Sequence, residues 1–179
     1  YETLNKRYFP TKGLKTNISY TIHTDLHTNT AYSSLATQIT KIFPIALNIF
    51  IIPTIYGRFI FNDGIPFMYS NVIGGEEYNP HYEQQIPFSG LPHTESTLKL
   101  LGNARIQIRH KFHEKQYLTL SGNYAIHQNQ FSNFLQGKKI YGTSIGYGYD
   151  SPLGPIEGFI CYSNRTNKLG FYLNIGFGF

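Results

Sequence analysis

Apolar and polar side chains alternate, one for one, through most of this 179-residue chain. The end of the chain shows it best. Phe171, Leu173, Ile175, Phe177 and Phe179 are apolar, and Gly170, Tyr172, Asn174, Gly176 and Gly178 stand between them. A period of two is that of a β-strand with one apolar face and one small or polar face. The same pattern predicts strands over about 14–24, 32–43, 48–61, 96–112, 116–128, 139–149, 155–163 and 168–179. In the fourth, Leu98, Leu100, Ala104, Ile106, Ile108 and Phe112 oppose Lys99, Asn103, Arg105, Gln107, Arg109 and Lys111. In the sixth, Tyr141, Thr143, Ile145, Tyr147 and Tyr149 oppose Gly142, Ser144, Gly146 and Gly148. Pro53 interrupts the third strand and removes a ladder donor, which predicts a bulge or distortion there. Residues 62–95 lack regular alternation and form the longest loop, a length that is usually functional or disordered.

The fold class that follows is all-β, and the connections say which kind. Their lengths run medium, short, very long, short, medium, short, medium. A transmembrane β-barrel has short turns on one side and longer loops on the other. Counting back from Phe179 puts the C-terminus and every short turn on one side. Strands of ten or more residues also suit a tilted membrane span better than the usual five or six. A soluble β-sandwich is the alternative reading.

Composition changes this picture little. Aromatics make up 16% and charged residues only 14%. Mean hydropathy is −0.27, which in a barrel carries little weight because half of each strand faces a polar lumen. No run of eighteen apolar residues exists, so no transmembrane helix is expected. No signal peptide opens the chain, and Tyr1 is not a natural start. The sequence therefore reads as a mature protein or an excised piece. Cys161 is the single cysteine and forms no internal disulfide. The net charge of +5 is mild and its Lys and Arg are spread out, which argues against a nucleic-acid partner. Tyr20, Tyr32, Tyr117, Tyr141, Tyr162 and Phe171, near strand ends, are expected in aromatic girdles at the membrane surfaces.

Motifs for chemistry are sparse. Gly142-Thr143-Ser144-Ile145-Gly146 matches the G-x-S-x-G nucleophile elbow, but an elbow needs a sharp turn into a helix. Here the strand period runs on through Tyr149, so Ser144 reads as a small lumen residue. Asp63-Gly64 lies in a loop and precedes that serine. His110 with His113, and His23 with His27, lack convergent partners for a metal. A cation held by Glu76 and Glu77 is less expected than a solvated loop. No catalytic residue, metal or cofactor is assigned.

Several segments resemble one family. Phe9-Pro10-Thr11-Lys12-Gly13 resembles the F-P-T-x-G turn in the middle of barrels of the outer-membrane assembly and two-partner-secretion superfamily. Asn71-Val72-Ile73-Gly74-Gly75 resembles the glycine pair entering that superfamily's long sixth loop. Ser151-Pro152-Leu153-Gly154-Pro155-Ile156 resembles its turn before the last two strands. The terminal strand, with Phe171, Leu173, Ile175, Phe177 and Phe179, resembles its barrel-assembly signal. Within the superfamily, Gln84-Gln85-Ile86-Pro87-Phe88 and Leu91-Pro92-His93-Thr94 look most like barrels attached to patatin-like phospholipases of Bacteroidetes.

The resemblance implies the C-terminal eight of sixteen strands in a bacterial outer membrane. It implies contact with outer-membrane lipid and lipopolysaccharide, with the barrel-assembly machinery, and with an N-terminal half of the barrel or a second copy. The implied function is anchoring, and export as a further role, of an attached phospholipase domain. A self-contained eight-strand protein with a structural or adhesive role is the alternative. One motif departs from the family. Its sixth loop usually carries a V-R-G-[FY] tip whose Arg points into the lumen. The equivalent Ile86-Pro87-Phe88-Ser89-Gly90 has no Arg, so the usual lock between loop and wall does not carry over, nor does protein translocation that depends on it. A row of Lys99, Arg105, Arg109 and Lys111 is instead expected in the lumen, where it can pair with Glu76, Glu77 or Glu83 and hold the loop inside.

Overall fold

Alternation along the chain becomes alternation of burial in the structure. The structure, a computed structural model, describes residues 1–25, 30–76 and 84–176. Its strands are β1 (Gly13–Asp25), β2 (Thr30–Ala46), β3 (Ile49–Ile60), β4 (Asn71–Ile73), β5 (Gln85–Ile86), β6 (Glu95–Thr97), β7 (Leu100–His113), β8 (Gln116–Gln128), β9 (Lys138–Ser151), β10 (Gly154–Ser163) and β11 (Leu169–Ile175). Eight of them form one antiparallel sheet in the order β1-β2-β3-β7-β8-β9-β10-β11. The other three form a small sheet in the order β5-β4-β6 within the long connection.

The large sheet has a filled concave face and an apolar convex face. On β9, Gly142, Ser144, Gly146 and Gly148 are buried while Tyr141, Thr143, Ile145 and Tyr147 are exposed. Register carries this across the sheet. Phe43, Ile51, Ile108, Leu120, Ile145, Ile160 and Phe171 stand opposite one another in a row over β2, β3 and β7 to β11. Leu120, Ile145, Ile160 and Phe171 are 48–71% exposed. A continuous apolar band of this kind is a liability in water and the matched surface in hydrocarbon. This is the lipid face of a transmembrane β-barrel segment. No helix among the described residues is long and apolar enough to cross a membrane; the strands do the crossing.

The short turns Leu47–Asn48, Glu114–Lys115 and Pro152–Leu153 lie at one end of the sheet, where β1 begins and β11 finishes. The long connection and the connections 129–137 and 164–168 lie at the other. The outer edge of β1 is partly occupied. Tyr1 to Leu4 run antiparallel to it, with the Thr3 N–H donating to the Leu14 carbonyl and the Thr16 N–H to the Tyr1 carbonyl, both at 2.8 Å. Among the described residues, β1 and β11 do not pair with each other.

Three expectations need correction or narrowing. Pro53 distorts the ladder without a bulge: the β2–β3 pairing lapses at Lys41 and Ile42, opposite Pro53 and Ile52. Thr40 faces Thr54 and Phe43 faces Ile51, so both strands keep the same count across the proline, and Pro53 itself stays paired with Ile106 on β7. The bulge falls instead at Pro44/Ala46, beside the turn. Ser96 and Thr97, read as the start of the fourth strand, belong to the small sheet, and the membrane strand begins at Leu100. Tyr32 and Tyr117 are not girdle residues. They are buried on the concave side, Tyr117 stacked 4.2 Å from the Phe9 ring and Tyr32 against Tyr69. Both sit at positions of inward parity, which strand-end location alone does not report.

Candidate functional site

The long loop folds back into the concave face, and several of its residues are fully buried. Val72, Ile73, Phe88 and Ser89 have no exposed surface. Ile73, Ile86, Phe88 and Leu91 from the loop cluster with Tyr56, Leu101, Ala125 and Ile140 from β3, β7, β8 and β9. Apolar burial thus sets the loop in the lumen, and polar contacts fix its register against the wall.

The central polar contact joins wall to loop. Arg105 Nη2 donates to Glu76 Oε2 at 2.7 Å, with side chains only 2% and 1% exposed. Arg105 also reaches Ser121 Oγ at 3.5 Å. Glu76 is placed by the two glycines before it. Gly74 and Gly75 have φ of +138° and +74°, values that L side chains rarely adopt. A side chain at Gly74 would collide with the Pro92 carbonyl, and a Cβ at Gly75 would lie 2.6 Å from the Tyr172 hydroxyl. The glycine pair therefore makes the sharp turn that delivers a carboxylate to the wall.

A second lock sits at the base of the loop. Arg58, buried on β3, donates to Asn71 Oδ1 at 3.1 Å, to the Ser70 carbonyl at 3.2 Å and to Ser34 Oγ at 3.2 Å. Asn71 in turn donates from Nδ2 to the carbonyls of Leu98 and Lys99, both at 2.8 Å. One side chain thus ties the chain entering the loop to the chain leaving it.

The loop tip rests on β8 and β9. Asn123 Nδ2 donates to Ser89 Oγ at 2.7 Å, and Ser89 Oγ lies 3.1 Å from Ser144 Oγ. The seat is cut by glycine. A side chain at Gly142 would strike the Ser89 carbonyl and the Phe88 ring, and one at Gly146 would strike the Phe159 ring. At Gly148 a Cβ would stand 2.8 Å from Phe9. Phe9 closes the short-turn end, with Arg109 5.3 Å from its ring centre. Its turn is held by Asn5, whose Oδ1 accepts from the N–H groups of Thr11 and Lys12 and whose Nδ2 donates to Thr11 Oγ1. Between this turn and Glu76 lies a cavity of about 430 Å³ lined in part by Gln107, Arg109, Thr119 and Glu157.

The four basic residues singled out in the sequence have different surroundings. Arg105 holds the loop. Arg109 is half-buried and donates from Nε to Thr119 Oγ1 at 3.4 Å. Lys99 pairs with the exposed Asp63, and Lys111 is half-buried near the short-turn end. Glu77 and Glu83 lie outside the described residues, as do His27, Phe177 and Phe179. Of the terminal strand, Phe171, Leu173 and Ile175 project from the convex face.

Ser144 does not sit on a nucleophile elbow. Ser144 lies inside an unbroken strand, and Asp63 is spent on Lys99 at the rim. His23 packs on Tyr69 and His110 on Phe112. Among the described residues no cluster of three metal-ligating side chains occurs. The sequence assigns no role to Arg58, Asn71 or Ser89, although Asn71 and Ser89 stand in loop segments compared with the family's motifs. A long cation among small polar lumen residues on the third strand was the available signal for Arg58.

A family model described as the OMP85 superfamily matches residues 1–179. No curated protein matches the chain.

Proposed function

The chain belongs to the OMP85 superfamily, and from this premise we propose that it forms the membrane anchor of a larger protein rather than a pore or an enzyme. Membership makes it an outer-membrane β-barrel domain. The observation that carries the anchoring reading is the buried Arg105–Glu76 pair. It ties the long loop to the barrel wall, and releasing it leaves a charge without a partner in a low-dielectric interior, as suits a static anchor. The Tyr1–Leu4 segment supports a larger barrel. It runs antiparallel along the outer edge of β1, so chain upstream of it would extend the same pairing. That favours an N-terminal half of the barrel over eight strands closing alone.

The attached domain is, in this reading, a patatin-like phospholipase. The loop segments Gln84–Phe88 and Leu91–Thr94 carry that part of the resemblance. The long-loop end faces the outside and the short turns face the periplasm. Strand β11, with Phe171, Leu173 and Ile175, is the segment the barrel-assembly machinery reads. Deleting residues 1–179 from the full-length protein tests the assignment. Fatty-acid release from phospholipid should survive, while the protein moves to the soluble fraction. Retention in the membrane, or loss of hydrolysis from a protein that stays folded, contradicts it.

A further inference from the structure

We infer that the segment Phe131–Gln136, together with Lys138 and Lys139, docks a phosphate-bearing lipid of the outer leaflet against the outside of the barrel. The inference rests on the outer-membrane reading and adds a particular lipid site to it. The connection between β8 and β9 does not stand away from the barrel. It forms a short 3-10 segment, Phe131–Gln136, that folds down over the convex face. Phe131 and Phe134 pack edge-on against Phe59 of β3, with ring centres 5.6 and 6.3 Å away. Gly102 on β7 makes room for this, since a Cβ there would lie 3.0 Å from the Phe134 ring.

Two large apolar side chains of this segment face outward, beside the exposed polar Ser132, Asn133 and Gln136. Leu135 is 75% exposed and Phe131 is 60% exposed. Water gives no reason to place these side chains there, whereas acyl chains do. Gly137 then turns the chain into β9, and Lys138 and Lys139 follow at once, both exposed. Lys139 shares the convex face with Tyr141 by strand alternation, and Lys138 stands at the rim opposite His127. Neither lysine forms an ion pair among the described residues. The surface thus joins the exposed Leu135 and Phe131 to Lys139 on the same face, with Lys138 beside it at the rim, at the long-loop end of the strands. An acylated lipid with a phosphorylated headgroup complements both halves: chains on Leu135 and Phe131, phosphate at the lysines.

The test uses the full-length protein in nanodiscs of zwitterionic phosphatidylcholine doped with an acylated, diphosphorylated diglucosamine lipid. Lipid retained on the released protein is counted by native mass spectrometry. The expected result is retention of the phosphorylated lipid, and loss of it by about thirtyfold in the Lys138→Gln, Lys139→Gln double variant. Leu135→Asn should weaken retention several-fold, and Lys115→Gln at the opposite end should leave it unchanged. Added inorganic phosphate should not displace the lipid. Equal retention by wild type and double variant overturns the proposal, as does equal retention of the dephosphorylated lipid or displacement by inorganic phosphate. Loss of lipid binding from wild type that still requires detergent for extraction refutes this surface alone. Extraction without detergent refutes the outer-membrane reading beneath it.

Discussion

Arg105 on β7 and Glu76 on the long loop meet at 2.7 Å with almost no exposed surface on either side chain. The polarity of this contact is the reverse of the one the family resemblance leads one to expect. The wall supplies the arginine and the loop supplies the acid. The missing Arg in Ile86–Gly90 is therefore no sign of an untethered loop.

Removing either member of the pair should loosen the loop. Arg105→Ala or Glu76→Gln leaves a buried polar group without its partner, at a cost of about 3–5 kcal/mol. The exchange Glu76→Arg with Arg105→Glu should recover a substantial part of that loss. Urea unfolding in detergent, with limited proteolysis of the loop, measures both effects. Additive losses in the exchanged protein would mean that the two side chains do not act on each other.

The glycine seat on β9 gives a second expectation. Gly142→Leu should lift Phe88 and Ser89 from the wall at a cost of about 1–3 kcal/mol. Gly122 on β8 is the control, because nothing lies within 4 Å of a Cβ built there. Gly122→Ala should change stability by less than about 0.5 kcal/mol. Cross-linking of cysteines placed at Ser89 and Ser144 reports directly whether the loop has left.

These two sites mark what could be read from the chain and what could not. The period of two located the eight long strands because each residue's face depends only on its own parity. The short turns expected within 44–48, 113–116 and 150–155 are legible for the same local reason, and they fall at Leu47–Asn48, Glu114–Lys115 and Pro152–Leu153. Contacts inside the concave face were not. Phe88 meets Gly142, and Arg58 meets Asn71, through the curvature of the whole sheet, which no local pattern encodes. Charge alone does not choose among Glu76, Glu77 and Glu83. The Gly74–Gly75 turn chooses. Tyr117 lies near a strand end, but its inward parity decides its face.

Ser144 should prove dispensable for any chemistry of the full-length protein. Its hydroxyl lies 3.1 Å from Ser89 Oγ within a continuous strand. Ser144→Ala should leave esterase and phospholipase rates within about twofold of wild type. It should lower stability by about 0.5–1.5 kcal/mol through the lost hydrogen bond. A loss of rate by several orders of magnitude, without unfolding, would restore the nucleophile reading.

The most direct measurement places a charge in the apolar row of the convex face. Leu120 is 53% exposed and stands between Ile108 and Ile145. If this face lies in hydrocarbon, Leu120→Arg should lower stability in lipid bilayers by about 2–4 kcal/mol, and Gly122→Ala, where nothing lies within 4 Å of the added Cβ, by much less. If the face lay in water, Leu120→Arg would change stability by no more than about 0.5 kcal/mol, and that result would contradict a membrane-spanning sheet.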